Sequence, residues 1–162
     1  MAEYPYFPMF VDLSGKQVLI VGAGKIGARR IEALTAFTPS ILVVAPAAQP
    51  QIAQLEEEKK LSWRRRTFRE EDLETIDLAV IATNDAELNA QIGRLCRERG
   101  IPVNVASDRT LCDFYFPGIV QTEEAVIGVT CSGKDHALAK KLTGKIRRML
   151  GEAETEDHSG KE

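Results

Sequence analysis

A short apolar segment that runs directly into a glycine-rich stretch constrains the fold of this chain more than any other feature. Residues 16–21 read Lys-Gln-Val-Leu-Ile-Val, and Gly22-Ala23-Gly24-Lys25-Ile26-Gly27 follows at once. The apolar run predicts a buried parallel strand. Residues 25–37 then carry apolar side chains at three- and four-residue spacing, which predicts an amphipathic helix. The glycines therefore lie between a strand and a helix.

Each glycine of this stretch has a physical reason in a strand–turn–helix unit. Gly22 allows a tight turn, Gly24 lets backbone amides approach a pyrophosphate, and Gly27 lets the helix pack close to the strand. The positive end of the helix dipole then favours the anion. The segment from Gly22 to Gly27 is thus predicted to bind a dinucleotide, although a glycine-rich turn without a ligand is the simpler alternative.

The position that usually holds the ribose carries neither an acid nor an arginine. About 20 residues after the glycines, an Asp or Glu commonly binds the ribose hydroxyls and an Arg accommodates a 2′-phosphate. Here that place reads Val44-Ala45-Pro46-Ala47. We expect backbone groups to contact the ribose, with NAD favoured over NADP.

Strand and helix patterns alternate along the rest of the first two thirds of the chain. Further strands are predicted at 41–45, 61–68, 77–82 and 102–106, and further helices at 49–60 and 85–99. This alternation predicts an α/β fold, a Rossmann-like doubly wound parallel sheet. Residues 114–121 and 125–131 then predict a β-hairpin, and residues 135–150 a last helix. We expect a dinucleotide-binding domain over 1–113, a hairpin and helix segment over 114–150, and a disordered tail over 151–162.

Composition excludes several classes of protein. The chain has 162 residues and a net charge of −3 at pH 7, which disfavours a dedicated nucleic-acid-binding protein. Its apolar runs fall short of the roughly 20 residues that span a bilayer, and its N-terminus lacks a signal-peptide pattern. With three distant cysteines and two histidines, a disulfide framework or a zinc site is not expected. We expect reduced thiols, a cytoplasmic location, and neither nucleic-acid nor membrane partners.

Polar residues follow two strands where each strand is predicted to end. Thr83, Asn84 and Asp85 follow the fourth strand, and Asn104, Ser107 and Asp108 lie at the end of the fifth. Because ligands bind outside the carboxyl ends of such a sheet, we expect the two groups to converge there. Turn chemistry is the alternative for each of them, and Asp85 could cap the helix that follows.

Several segments together resemble one family, in its order and spacing, over about residues 4–150. They are Tyr6-Phe7-Pro8-Met9-Phe10-Val11-Asp12-Leu13, Val21-Gly22-Ala23-Gly24, Val44-Ala45-Pro46, Ala82-Thr83-Asn84-Asp85, Leu88-Asn89, Pro102-Val103-Asn104-Val105, Leu111-Cys112-Asp113-Phe114-Tyr115-Phe116-Pro117 and Ser132-Gly133-Lys134 before Ala137-Leu138-Ala139. The chain resembles the precorrin-2 dehydrogenase family, the NAD-dependent module of sirohaem synthase.

The resemblance implies an NAD-dependent oxidation of precorrin-2 to sirohydrochlorin, in an enzyme that works as a homodimer. It implies that the hairpin after residue 113 exchanges between the two subunits. It also implies cofactor contacts from three places: Lys25 and Ile26 in the glycine loop, Pro46 and Ala47, and Thr83-Asn84-Asp85. Some family members also insert ferrous iron.

The chain departs from the family pattern in two ways. The family's catalytic aspartate commonly follows Asn-Val-Val directly, whereas here Ser107 stands at that position and Asp108 comes one residue later. Asp108, with Ser107 beside it, is our candidate for the catalytic role. The second departure is length: many members continue with a helical domain that helps enclose the tetrapyrrole, whereas this sequence runs to residue 162.

The substrate of such an enzyme carries many carboxylates, so basic groups near its site would favour binding. The preferred anion contacts lie near the start of the last helix and are Lys134, His136, Lys140 and Lys141. Asn104 is a further candidate for substrate binding. The denser cluster, Arg64-Arg65-Arg66 with Arg69, lies on an edge-like strand, and we interpret it as protection of that edge.

Two other functions remain open from the sequence. Iron insertion into sirohydrochlorin could occur in the same module, but no cluster of His or Cys offers iron ligands. A nucleotide-sensing domain would need only the glycine loop, and it would leave the match from Leu111 to Pro117 unexplained.

Overall fold

The computed structural model describes residues 4–151, which divide into two compact units. One unit is continuous, Val11–Tyr115. The other combines the N-terminal segment up to Phe10 with the chain from Phe116 onward. Apart from Gly151, the predicted disordered tail lies outside the described residues.

The larger unit contains a five-stranded parallel sheet with the order β3-β2-β1-β4-β5. Its elements are β1 Val18–Ala23, α1 Lys25–Leu34, β2 Ile41–Ala48, α2 Pro50–Glu57, β3 Ser62–Arg64, β4 Leu78–Ile81, α3 Ala86–Glu98 and β5 Val103–Val105. Two short 3₁₀ turns, Glu70–Leu73 and Arg109–Leu111, complete it. The predicted doubly wound parallel sheet is confirmed.

The central strand is buried on both faces, as its continuous apolar sequence requires. Val18, Leu19, Ile20 and Val21 are at most 2% exposed, which is typical of a parallel strand covered by helices on either side. The chain runs from β1 to β2 on one side and later to β4 on the other. The strand order therefore reverses at β1, and the crevice outside its carboxyl end is the place where such folds bind ligands.

The smaller unit holds the predicted hairpin and the last helix. β6 Gly118–Gln121 pairs antiparallel with β7 Val126–Val129, and α4 spans His136–Met149. Arg147 of α4 donates a hydrogen bond to the backbone oxygen of Ile119 at 2.7 Å. A Cβ on Gly118 would overlap the Thr143 hydroxyl, so the missing side chain lets α4 pack against β6. The Tyr6 amide donates to Ser132 Oγ at 2.9 Å.

Several strands differ in length from the sequence prediction, and β2 and β3 show why. β2 continues through Pro46 to Ala48, beyond the predicted end at residue 45, because the pairing with β1 skips from Val21↔Val44 to Ala23↔Ala48. The bulge removes the need for a ladder hydrogen bond from the proline nitrogen. β3 is only three residues long, since the Arg66 amide turns back to the oxygen of Arg64 at 2.9 Å.

Within residues 4–151, no helix has the length and apolar character that crossing a membrane requires.

Candidate functional site at the carboxyl edge of the sheet

Two glycines of the loop between β1 and α1 are fixed by steric contacts. Gly22 has a φ of +93°, and a Cβ there would lie 2.5 Å from the oxygen of Ala82 and 2.7 Å from the nitrogen of Thr83. A Cβ on Gly27 would overlap the oxygen of Gly22. These two glycines bring the loop, the start of α1 and the loop after β4 into close contact.

Gly24 has a different environment, because its missing side chain opens toward free space. A Cβ there would meet no atom of residues 4–151 within 4 Å. Gly24 is the N-cap of α1 and offers no side-chain hydrogen bond to the first-turn amides. The Ala28 amide donates to the Gly24 oxygen at 2.8 Å and so begins the helical ladder. The amides of residues 25–27 precede that ladder and are suited to bind an anion.

The glycine loop therefore fits the pyrophosphate of a dinucleotide. Ala23, which lies between the glycines, is buried, whereas Lys25 and Ile26 are exposed at the start of α1. Ile26 is a large apolar side chain that is 56% exposed beside the glycine loop. It is therefore available to contact a bound ligand.

The end of β2 lies beside this loop. The Gln49 amide donates to the Ala23 oxygen at 3.0 Å, which ties the two strand ends together. Pro46 and Ala47 are exposed there. The Trp63 indole donates to the Ala45 oxygen at 2.9 Å, so that carbonyl group already has a partner.

The loop after β4 is shaped largely by helix capping. The Asp85 side chain accepts hydrogen bonds from the amides of Glu87 and Leu88, both at 3.0 Å, and so caps α3. The structure thus confirms the capping alternative for this residue. Asn84 is exposed beside it, and the Thr83 hydroxyl hydrogen-bonds to Asn89 at 2.5 Å.

The loop after β5 carries the two candidate catalytic residues, and both are exposed. The Asp108 carboxylate accepts from the hydroxyl of Thr110 at 2.7 Å and from its amide at 2.8 Å. These hydrogen bonds hold the pKa of Asp108 below its ordinary value. Ser107 Oγ accepts a hydrogen bond from Asn89 Nδ2 at 3.1 Å.

Asn104 lies inside the fold. It is 3% exposed; its Oδ1 accepts from Arg30, and its Nδ2 donates to the backbone oxygen of Phe114 at 2.7 Å. Burial lowers the pKa of the Arg30 guanidinium. In this structure Asn104 holds the chain after the second 3₁₀ turn, and its contact with a substrate stays a prediction.

Lys134 and His136 belong to the smaller unit. Both are exposed, and His136 is the first residue of α4, whose N-cap Asp135 accepts from the Leu138 amide at 2.8 Å. Their role toward an anionic substrate stays a prediction.

The arginine cluster at the sheet edge has a partner that the sequence analysis missed. The Asp72 side chain is fully buried and accepts hydrogen bonds from Arg66 at 2.7 and 2.8 Å, Arg64 at 2.5 Å and the Arg69 amide at 2.9 Å. Burial alone would raise the pKa of Asp72, but these hydrogen bonds outweigh it and lower the pKa to about 2. The arginine cluster was interpreted as protection of the sheet edge. The structure shows in addition that Arg64 and Arg66 neutralise the buried Asp72 carboxylate.

The structure brings the glycine loop together with the loops after β2, β4 and β5. Sequence reasoning missed one residue at their centre, Asn89, which is fully buried. A signal for it existed, because Asn89 occupies the same face of α3 as the buried residues Ile92, Gly93 and Cys96. A polar residue on an apolar helix face has to find hydrogen-bond partners.

Within the described chain, no group of three or more His, Cys, Asp or Glu side chains could hold a metal ion. Burial raises the pKa of the Cys96 thiol to about 11, which leaves it protonated and weakly nucleophilic.

The fold and the glycine loop define a nucleotide-binding protein, and comparison with known proteins agrees. Residues 9–118 match the NAD_binding_7 family, described as "Putative NAD(P)-binding". The chain belongs to this NAD(P)-binding family.

More specific similarity comes from curated relatives and a solved structure. The chain is 36% identical over 147 residues to "Probable multifunctional siroheme biosynthesis protein HemA" of Ruminiclostridium josui, and 36% identical over 145 residues to "Siroheme synthase" of Neisseria meningitidis serogroup C (strain 053442). These matches cover 90% of the chain but only 28% and 30% of the two relatives. The structure of "SirC, precorrin-2 dehydrogenase" matches with a TM-score of 0.78 and 26% identity, over 89% of this chain and 70% of that one.

Proposed function

We propose that this chain is an NAD-dependent dehydrogenase that oxidises precorrin-2 to sirohydrochlorin, a step in the formation of sirohaem. The observation that carries the proposal is the match to a precorrin-2 dehydrogenase over 89% of the chain at a TM-score of 0.78. The 36% identity to proteins of sirohaem synthesis supports it. The open space at Gly24, which would let a dinucleotide approach the backbone, is consistent with it.

The glycine loop would hold the cofactor by its pyrophosphate, and the nicotinamide supplies the hydride acceptor when bound. Gly22, Gly24 and Gly27 let the backbone approach, while the amides at the start of α1 donate to the phosphate oxygens. Thr83 and Asn84 lie at the next strand end, where the reacting ring is expected. The protein's remaining tasks are to orient the substrate and to remove a proton.

Asp108 is the residue that we propose to take this proton. Its lowered pKa keeps the carboxylate ionised at neutral pH, as a proton acceptor must be. A serine hydroxyl stays protonated under the same conditions, so Ser107 cannot replace it as a base.

Lys134 and His136 are proposed to meet the carboxylates of the tetrapyrrole. Both are exposed, and α4 offers the positive end of its dipole close to them. We assign the cofactor to residues 1–113 and the substrate to residues 114–150. Dimer contacts are assigned to residues 114–150 and to the N-terminal segment up to Phe10, which belongs to the same unit.

The smaller unit exposes several large apolar side chains, which supports a homodimer. Phe7 is 89% exposed, Met9 76% and Phe10 73%, and Leu138 and Leu142 lie one turn apart on α4. A two-stranded hairpin is marginally stable unless it packs on further structure. A second copy of the chain would cover these surfaces. The cysteines at 96, 112 and 131 are free, which suits the reducing cytoplasm.

The test is to identify the product and the cofactor together. Precorrin-2 generated under anaerobic conditions is incubated with the chain and either NAD⁺ or NADP⁺, and the tetrapyrrole is analysed by absorption and mass. We expect sirohydrochlorin, two hydrogens lighter than precorrin-2, with NAD⁺ as the preferred acceptor. Unchanged precorrin-2 with both cofactors would contradict the proposal, and iron incorporation on adding Fe²⁺ would reveal the second activity of the family.

A further inference from the structure

We infer that Asn89 of α3 is a positioning residue that joins the loop after β4 to the loop after β5 and sets the Ser107 hydroxyl as a hydrogen-bond donor toward the bound ligand. The inference rests on the proposed function, because it concerns the same edge of the sheet. Asn89 is 0% exposed. A buried amide costs free energy unless its hydrogen bonds are made, so its partners reveal what it does.

All the hydrogen-bonding capacity of the Asn89 amide is used. Its Nδ2 donates to the Thr83 oxygen at 3.0 Å and to Ser107 Oγ at 3.1 Å. Its Oδ1 accepts from the Thr83 hydroxyl at 2.5 Å and from the Thr83 amide at 3.2 Å. Turning the amide over would place its oxygen against a carbonyl oxygen and its nitrogen against an N–H group. The network therefore fixes the orientation.

These four bonds, which we call the Asn89 link, connect two parts of the candidate site. Thr83 lies against the glycine loop, since a Cβ on Gly22 would come within 2.7 Å of its nitrogen. Ser107 lies beside Asp108 after β5. Asn89 itself is one turn into a helix that Asp85 caps, so the link is anchored on regular structure.

The link also determines what the Ser107 hydroxyl can do. Its oxygen accepts from Asn89, which leaves the hydroxyl proton to point away from Asn89. Ser107 is exposed and follows β5 at the carboxyl edge of the sheet, where ligands of such folds bind, so the proton is free to be donated to a ligand there. The Ser107 hydroxyl can therefore donate this proton in a hydrogen bond to an sp² oxygen of the ligand. That oxygen is either a carboxylate oxygen of the tetrapyrrole or the carboxamide oxygen of the nicotinamide. In this chain the residue at the family's aspartate position would thus donate a hydrogen bond.

The first arm of the test uses the unliganded protein. In NMR spectra the side-chain amide protons of Asn89 should exchange slowly with solvent, while those of the exposed Asn84 serve as an internal control. Ser107→Ala should shift the Asn89 side-chain signals and speed their exchange. Exchange as fast as that of Asn84, or no response to Ser107→Ala, would overturn the inference.

The second arm is a double-mutant cycle on precorrin-2 oxidation. Asn89→Asp removes both donors, and we expect kcat to fall about 100-fold, as for a misplaced reacting group. Ser107→Ala should cost about tenfold, in keeping with one lost hydrogen bond, and the double variant should be no slower than Asn89→Asp. A raised KM for precorrin-2 in Ser107→Ala identifies the tetrapyrrole as acceptor, and a raised Kd for NAD⁺ identifies the nicotinamide.

The controls separate positioning from stability. Gln91→Glu makes the same change of charge at an exposed site of α3 and should leave kcat unchanged. If Asn89→Asp does not fold, Thr83→Val removes the hydroxyl that bonds Asn89 and the Asp85 backbone while keeping the side-chain shape. The cost of Ser107→Ala should then be smaller in the Thr83→Val background than in the wild-type chain. Losses that multiply in the double variants, or a folded Asn89→Asp with full kcat, would overturn the inference. A wild-type chain that forms no NADH would refute the proposed function, and the exchange measurement would still decide the Asn89 link.

Discussion

At the scale of single residues, three glycines that look alike in the sequence have different surroundings in the structure. Gly22 and Gly27 are required by close backbone contacts, whereas Gly24 borders open space. The strand–turn–helix pattern predicts both the steric role of Gly22 and Gly27 and the open approach at Gly24. The glycine loop was therefore predictable from the sequence.

This difference predicts opposite outcomes for two substitutions. Gly24→Asp should leave the fold intact, because its side chain enters open space. It should abolish NAD⁺ binding, because it places a negative charge where we propose that the pyrophosphate binds. Gly27→Ala should destabilise the protein by about 1–3 kcal/mol or more, since the new Cβ overlaps a backbone oxygen. Circular dichroism and calorimetric titration check both. Normal NAD⁺ affinity in Gly24→Asp would remove the basis for the cofactor site.

The candidate base leads to a kinetic prediction. Asp108→Asn preserves the shape of the side chain and removes its charge, so turnover should fall about 10²–10⁴-fold while NAD⁺ affinity is kept. Because hydrogen bonds from Thr110 lower the pKa of Asp108, its protonation should not limit the rate near neutral pH. Steady-state rates across pH check this. If Asp108→Asn oxidises precorrin-2 as fast as the parent chain, Asp108 is not the base.

The polar partners of these residues were less accessible to sequence reasoning. Capping by Asp85 could be predicted, since it directly precedes a helix. The contacts of Asn89 with Thr83 and Ser107 join residues that are 6 and 18 positions apart, and no local pattern specifies them. Asn104 was placed at the correct strand, yet its burial against Arg30 depends on how a distant helix packs.

At the scale of elements, the sequence predicted the order of strands and helices because buried parallel strands and amphipathic helices have distinct periodicities. It predicted neither the bulge in β2 nor the two 3₁₀ turns. Those features depend on strand pairing and on side-chain contacts such as those of Asp72 with Arg64 and Arg66.

The Asp72 contacts should make stability depend on pH. The pKa of Asp72 falls from 3.8 to about 2 on folding, so its ionised form stabilises the fold above pH 4 by about 2 kcal/mol. That stabilisation is lost as the pH falls from about 4 through about 2. In urea unfolding, Asp72→Asn should be less stable by about this amount at pH 7, and the difference should shrink over that range. Glu71→Gln, at an exposed neighbour, is the control; an equal loss at pH 7 and pH 2 would contradict the account.

At the scale of the whole molecule, the proposed homodimer can be tested directly. Light scattering at micromolar concentration should give twice the chain mass of 17.9 kDa. Leu142→Glu puts a charge on the apolar face of α4 and should weaken the dimer. Lys141→Glu, the neighbouring exposed position, should not. A strictly monomeric mass for the wild-type chain would contradict the dimer.

The central claim is the dehydrogenation itself, and one measurement tests it most directly. NADH formation is followed by absorbance as precorrin-2 is added, without oxygen, to the chain and NAD⁺, with Gly24→Asp as the matched control. Each precorrin-2 loses one hydride and one proton, so we predict one NADH per sirohydrochlorin formed by the wild-type chain and none by Gly24→Asp. A wild-type chain that binds NAD⁺ normally but forms no NADH from precorrin-2 would contradict the account.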